Sequence, residues 1–246
     1  MNPLTHHLLT PDWPAPAWVQ ACVTTRGGGV SLAPYTTLNL GEHVGDAPAA
    51  VAENRRRLSD QFAIQPAWLK QVHGIEVAEA DPSRVIEADG NWTATPGIAC
   101  TAMTADCLPA LFCDRAGTRV AAAHAGWRGL AGGVLEAALG KLGVPASEVL
   151  VWLGPAIGPQ AFEVGAEVRD AFMTVHRESA SAFVPSAQPG KYLADIYALA
   201  RIRLAAQGVA AVYGGGLCTV TDPRFYSYRR SPVTGRFASL VWLAPR

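Results

Sequence analysis

Two histidines and one cysteine stand in settings that suit a metal ion. His73 lies in Gln71-Val72-His73-Gly74, Cys107 in Thr104-Ala105-Asp106-Cys107-Leu108-Pro109, and His124 in His124-Ala125-Gly126-Trp127-Arg128-Gly129. Two imidazoles and a thiolate make a three-legged set for a borderline cation such as Zn²⁺, with a fourth position open for chemistry, whereas a structural zinc site fills all four. The stretches are too far apart in the chain for one helix or knuckle to bring them together, so tertiary structure must. His124 ends an apolar run, a place where scaffolds present chemistry. Cys107 sits in a break between two apolar runs, beside the Asp106 carboxylate. Each also has a plainer reading: a buried histidine with its hydrogen bond satisfied, a structural thiol, a solvated turn histidine at His73. The same groups could work without metal, with Cys107 as nucleophile, His124 as base and Asp106 or another carboxylate as orienter.

Other side chains extend the candidate site. His43, in Asn39-Leu40-Gly41-Glu42-His43-Val44-Gly45-Asp46, is a candidate general base or substrate contact. Arg26 precedes three glycines and Arg128 lies in a Gly-Trp-Arg-Gly turn; glycines let backbone N–H groups approach an anion and Arg neutralises it. Asp89-Gly90 and Gly154-Pro155-Ala156-Ile157-Gly158-Pro159 read as turns. Cys22, Cys100, Cys113 and Cys218 read as small apolar residues in or beside strands. His6 and His7 fall in a start expected to be mobile over residues 1–12, and His176 near a helix end.

Composition narrows the class. Of 246 residues, 50% are hydrophobic and 16% charged, which suits a compact globular chain. Twenty basic residues balance twenty acidic ones, so nothing suggests a nucleic-acid or polybasic membrane surface. No segment approaches the roughly eighteen uninterrupted apolar residues of a membrane span. Pro and His stand where a signal peptide needs a basic start and an apolar run, so the cytoplasm is expected. An odd number of cysteines without framework spacing argues against disulfides. A monomer is the favoured state.

The elements that must position these groups are many and short. Strands are expected at Trp18 to Thr24, Trp68 to Val72, Ile75 to Glu79, Ile98 to Thr104, Ala110 to Cys113, Thr118 to Ala123, Val149 to Leu153, Val209 to Tyr213, Arg224 to Tyr228 and Phe237 to Leu243. Helices are expected at Ala47 to Phe62, with Asp46 as cap and Pro48 in the first turn, at Leu130 to Leu142 by its apolar periodicity, at Ala166 to His176 and at Leu193 to Gln207. Strands and helices mix without a βαβ rhythm, and neither G-x-G-x-x-G nor a P-loop appears. The expectation is an α+β (mixed α/β) fold, a single domain over residues 1–246.

The motifs together resemble the YfiH-type family, also called laccase-domain or polyphenol-oxidase-like proteins and linked to purine nucleoside phosphorolysis and peptidoglycan editing. The resemblance is carried by Thr25-Arg26-Gly27-Gly28-Gly29-Val30-Ser31, Leu38-Asn39-Leu40-Gly41, Glu53-Asn54-Arg55, Gln71 to Gly74, Met103 to Asp114, Ala121 to Leu130, Leu153 to Gly165 and Phe225 to Arg230, from about Trp13 to Leu243. It implies mixed sheets layered between helices as α/β/β/α. It implies a metal, usually taken as zinc, on His73, Cys107 and His124. It implies phosphorolysis of adenosine, inosine and S-methyl-5′-thioadenosine, with adenosine deamination and a copper-dependent phenol oxidation also attached to the family. Asn39, Arg55 and Gln71 join Arg26 and Arg128 as expected substrate contacts, nucleoside and phosphate being the partners. Asp106 and His43 are the candidate acids for the leaving purine. Asn91-Trp92 and Ala200 depart from the family pattern, the first pair expected at a pocket edge.

The oxidase reading is limited by counting. A blue-copper site needs two His and one Cys, but a conventional multicopper oxidase adds a trinuclear cluster usually marked by H-x-H pairs. This chain has six His and no H-x-H. Cu²⁺ could enter the His₂Cys set, since it outranks Zn²⁺ in affinity. The zinc-deaminase signature of H-x-E with P-C-x-x-C is absent. A zinc-dependent scaffold is the non-enzymatic alternative, weakened by the missing fourth ligand.

Overall fold

The computed structural model describes residue 4 and residues 6–245. Two mixed sheets stack face to face. The first runs in the order Leu8–Leu9, Val19–Thr24, Phe237–Leu243, Ile98–Thr104, Gln65–Ala67. The second runs Ala211–Gly214, Val149–Leu153, Leu108–Asp114, Val120–Ala125, Gly90–Thr93, Val77–Glu79. A small antiparallel sheet of Glu163–Gly165, Lys191–Ala194 and Phe183–Pro185 lies apart.

Period-two geometry decides which residues meet. Leu111, Cys113, Val120, Ala122, Leu150 and Trp152 face the first sheet, where Val23, Cys100, Ala102 and Val241 meet them. Ala110, Phe112, Ala121, Ala123, Val151 and Leu153 face the opposite way, onto Leu130, Val134, Leu135, Ala138 and Leu199 of the helices. The outer side of the first sheet is covered by Leu58 and Phe62 of helix Pro48–Phe62, with the Phe62 and Trp242 rings 5.1 Å apart. The layers are therefore α/β/β/α, as expected. Because the central strands are buried on both faces they read as unbroken apolar runs, so Ile98–Thr104, Val149–Leu153 and Phe237–Leu243 coincide with the expected spans.

Several expectations need correction. The helix expected over Leu130 to Leu142 is two pieces, Trp127–Gly132 and Val134–Leu142, divided at Gly133, whose φ of 109° is left-handed. Residues 193–194 belong to strand Lys191–Ala194, and the helix starts at Ile196, where the Asp195 carboxylate accepts from the N–H groups of Tyr197 and Ala198. Arg224 to Tyr228 forms turns, because Asp222 accepts from the Arg224 N–H and the Arg230 guanidinium collects the carbonyls of Thr219, Val220 and Phe225. Asp46 does not cap its helix; its carboxylate accepts from Ser31 Oγ at 2.6 Å and Asn39 Nδ2 at 2.9 Å, while Pro48 does open the first turn. Within the start expected to be mobile, residues 1–3 and 5 lie outside the described residues. Leu4 is buried and Leu8–Leu9 pairs with Val23 and Thr24. Among the described residues no helix is long and apolar enough to cross a membrane.

Candidate functional site

The site forms at the ends of three strands of the second sheet, around a buried carboxylate. Asp89 immediately precedes strand Gly90–Thr93 and is fully shielded from solvent. Its backbone carbonyl accepts the His124 N–H at 2.7 Å, and its Oδ1 lies 2.8 Å from His124 Nδ1. The same carboxylate accepts the N–H groups of Val72, His73 and Gly74 at 3.1, 2.9 and 2.6 Å. Three converging N–H groups form an anion-binding concavity, which holds His73 at a left-handed φ of 63° that non-glycine residues seldom adopt. A carboxylate only accepts, so Nδ1 of His124 carries a proton toward Asp89, and Nε2 is the nitrogen left for Cys107.

Cys107 is aimed by its neighbour. Asp106 has a φ of 104° and ties together three remote segments. Its Oδ1 accepts Thr219 Oγ1 and its Oδ2 the Arg229 N–H, both at 2.6 Å, and its carbonyl accepts the Ile157 N–H at 2.8 Å. With both oxygens accepting, this carboxylate fixes the backbone that presents Cys107. Cys107 is half-buried, His124 buried and His73 exposed. Cys107 Sγ lies 3.8 Å from His73 Nε2, the two imidazole rings are 4.8 Å apart at 76°, and all three donor atoms lie within 4.8 Å of one another.

Charge couples the trio. Burial alone would push the Cys107 thiol up; the His124 charge, with hydrogen bonds from both imidazoles, outweighs burial and brings the thiol down to about 6. Burial would lower His124, but the Cys107 thiolate and the Asp89 carboxylate push it up to about 9. Cys22, by contrast, is pushed up to about 12 by burial, as an inert core thiol should be.

The donor set fits a borderline divalent cation. Two imidazole nitrogens and a sulfur around tetrahedral zinc would sit roughly 3.3–3.6 Å apart, close to the observed S···N separation. The carboxylate behind His124 is the usual support for a ligating imidazole. The space is kept by Gly126, where a Cβ would stand 2.7 Å from His73 Cδ2 and 3.1 Å from Cys107 Sγ. His73, Cys107 and His124 are the one cluster of three or more such donors among the described residues.

The trio opens into a cavity of about 380 Å³, a volume suited to a small organic ligand. Trp127, Ile157, Phe162 and Ile196 give it an apolar wall; His43, Gln71, the Met103 to Asp106 stretch, Tyr228, Arg229 and Arg236 complete the lining. Among the expected substrate contacts, only Gln71 is here, its amide exchanging hydrogen bonds of 2.8 Å with the backbone of Met103. The others lie outside the lining. Arg26 bonds the Thr36 carbonyl and stacks on Tyr226. Arg128 is exposed and stacks on Trp127. Arg55 grips the Leu40 carbonyl with two N–H groups, pairs with Glu42 and stacks on Trp68. Asn39 is buried and accepts the N–H groups of Gly41 and Arg236. Asn91 and Trp92 are not at the pocket edge: Asn91 bridges the Ala67 carbonyl and the Thr101 N–H. Ala200 is buried in the helix core.

Sequence reasoning missed Asp89 and Arg236. Asp89-Gly90 carries a local turn signal that hides a buried carboxylate. Arg236 stands just before an apolar strand, and only that placement at a strand end pointed to it.

Fold and site together define a single-domain α+β protein with a His₂Cys donor set at the mouth of a ligand-sized cavity. A family model described as multi-copper polyphenol oxidoreductase laccase matches residues 20–244, and the chain belongs to that laccase-domain, YfiH-type family. Purine nucleoside phosphorylase PA4543 of Pseudomonas aeruginosa is 72% identical over 236 residues, covering 96% of this chain and 98% of that protein. Purine nucleoside phosphorylase YfiH of Escherichia coli is 54% identical over 241 residues, with coverage of 96% and 98%. The crystal structure of Neisseria meningitidis protein NMB0706 matches with a TM-score of 0.94 at 53% identity, covering 97% of this chain and 100% of that one.

Proposed function

We propose that this chain is a metal-dependent purine nucleoside phosphorylase acting on adenosine, inosine and S-methyl-5′-thioadenosine, with Zn²⁺ on His73, Cys107 and His124. The observation that carries the reading is the trio opening onto a cavity lined by apolar side chains together with the cations Arg229 and Arg236. The names of the relatives, which align over nearly the whole chain, support the same assignment.

In the reaction a phosphate oxygen bonds to ribose C1′ as the bond from C1′ to the purine nitrogen breaks, through an oxocarbenium-like state. The electron pair leaves with the purine, and the proton carried by hydrogen phosphate ends on the base. A bound divalent ion with an open position supplies Lewis acidity toward an anionic oxygen. Trp127, Ile157, Phe162 and Ile196 bury the flat purine and exclude water. Burial, with the nearby Arg236 charge, pushes His43 below its ordinary value, so at neutral pH it offers one N–H and one acceptor for relaying the proton. Asp106 positions Cys107.

Adenosine deamination would use the same metal position to activate water. Copper at the trio, with a weak phenol oxidation, is a secondary reading that rests on the donor types and the family description. A thiol-hydrolase reading, an amidohydrolase acting on peptidoglycan precursors, rests on one observation: His124 stands between Cys107 and Asp89, in the order nucleophile, base, carboxylate.

The test is release of free base from the three nucleosides with and without phosphate, with ribose 1-phosphate as co-product, on protein of measured metal content. Phosphate-dependent release supports the proposal; base release without phosphate, or ammonia alone, redirects it.

A further inference from the structure

Arg236 is a cation in search of an anion. It is half-buried, and none of the ion pairs among the described residues includes it. Its Nη1 donates to the carbonyls of Thr234 and Gly235 at 3.1 and 3.0 Å. Among the described residues its Nε and Nη2 have no hydrogen-bond partner, and these two atoms form the edge of the guanidinium that meets an oxyanion in a bidentate way. The nearest carboxylate along the cavity, Asp106, is already engaged by Thr219 and by the Arg229 backbone. Burial disfavours the Arg236 charge, and the attraction that offsets this comes first from Cys107 and Asp106 in the same lining; neither makes a hydrogen bond to it, so the Nε–Nη2 edge stays open to a ligand anion.

The surroundings hold Arg236 in place. Its N–H donates to Asn39 Oδ1 at 2.9 Å, and its carbonyl accepts the Leu40 N–H at 3.0 Å. Gly41 lies beneath the side chain, where a Cβ would come within 2.9 Å of Arg236 Cγ. Arg55 fixes the Leu40 carbonyl from behind with Nε and Nη2 at 3.0 and 2.8 Å. The Asn39-Leu40-Gly41 stretch and Arg55 thus form a cradle for an arginine far away in sequence. That cradle continues into the turn Glu42–Val44, which brings His43 into the same cavity. The apolar wall comes from the other side, since Ile157, Phe162 and Ile196 belong to the core behind the second sheet.

We infer that Arg236, with His43 beside it, forms the subsite that takes inorganic phosphate, opposite the apolar wall that takes the purine. The inference rests on the phosphorylase reading for its choice of anion. Arg26, Arg55 and Arg128 do not line the cavity: Arg26 and Arg55 bond backbone carbonyls, and Arg128 is exposed and stacked on Trp127. Planar bidentate donation is what distinguishes Arg from Lys toward phosphate, so charge alone does not reproduce the subsite.

The experiment is direct binding of inorganic phosphate to the full-length, metal-loaded protein, by calorimetry or ³¹P NMR, for the native chain, Arg236→Gln and Arg236→Lys. Steady-state KM values for phosphate and inosine are measured alongside. Arg236→Gln is expected to weaken phosphate binding roughly ten- to a hundredfold, the worth of a charge-assisted hydrogen bond, with the KM for inosine much less affected. Arg236→Lys, which keeps the charge should the glutamine variant fail to fold, is expected to fall between. Native-like phosphate affinity in either folded variant overturns the inference. Phosphate binding that depends on Arg236 in a protein that cleaves no nucleoside would keep the subsite and sink the phosphorylase reading. Base release with a phosphate KM indifferent to Arg236 would do the reverse.

Discussion

Asp89 holds His124 twice, through its carboxylate to the ring Nδ1 at 2.8 Å and through its backbone carbonyl to the His124 N–H at 2.7 Å. The same carboxylate gathers the N–H groups on either side of the His73 turn. One buried residue therefore sets the position of both imidazoles. Asp89→Ala should cost about 3–5 kcal/mol of stability, the usual consequence of leaving the partners of a buried charge unpaired. Asp89→Asn should weaken zinc binding roughly 10–100-fold, as loss of a carboxylate behind a ligating imidazole does. Thermal melts and competition against a chromophoric chelator measure the two effects; native zinc affinity in Asp89→Asn would contradict the assignment.

Gly126 is required by space and not by backbone angle, since its φ is −59°. A methyl group there would collide with His73 and crowd Cys107. Gly126→Ala should fold, with a stability loss of about 1–3 kcal/mol from overpacking. It should lose at least ~100-fold in activity through misplaced ligands. Elemental analysis and base-release assays check this; full metal content with full activity would refute the packing argument.

Metal uptake should depend on pH with a defined sign. In the metal-free protein the Cys107 thiol is brought down to about 6 and the His124 imidazole pushed up to about 9, so a thiolate–imidazolium pair spans the interval. A cation binds the deprotonated imidazole and must displace one proton there. Affinity should rise about tenfold per pH unit between these two values and level off above the upper one. Chelator competition over that range tests it. In the same metal-free protein, alkylation of Cys107 should persist toward pH 6 while Cys22 stays unreactive.

The arginines outside the cavity should separate by structure. Arg128 is exposed, so Arg128→Gln should change stability by no more than about 0.5 kcal/mol, with little effect on the KM for phosphate. Arg55→Ala removes two hydrogen bonds to Leu40 and a stack on Trp68, and should cost about 1–3 kcal/mol. Denaturant melts with paired kinetics decide; a large phosphate effect at Arg128 would place the anion elsewhere.

How much of this the chain disclosed depended on whether the signal was local. The central strands were legible because burial on both faces makes them continuous apolar runs. His73, Cys107 and His124 were legible because imidazole and thiol in turns or at the ends of such runs invite a metal reading. The helix break at Gly133 was not, since apolar periodicity carries across it. Asp89 was not, because Asp-Gly has the same local signature in an exposed turn as at a buried strand start; what differs is the set of N–H groups delivered by a remote loop. Arg26, Arg55 and Arg128 looked like anion contacts from their glycine-rich or motif settings. In the fold, Arg55 and Asn39 instead support the backbone that holds Arg236.

The central claim is that the His73–Cys107–His124 trio carries a metal on which phosphorolysis depends. The most direct measurement returns zinc stepwise to chelated protein while occupancy and phosphate-dependent cleavage of inosine are followed together. Cleavage rising in proportion to zinc and saturating at about one ion per chain, the capacity of a single three-ligand site, is the predicted result. Undiminished cleavage by the metal-free protein would contradict the claim and favour Cys107 as the nucleophile.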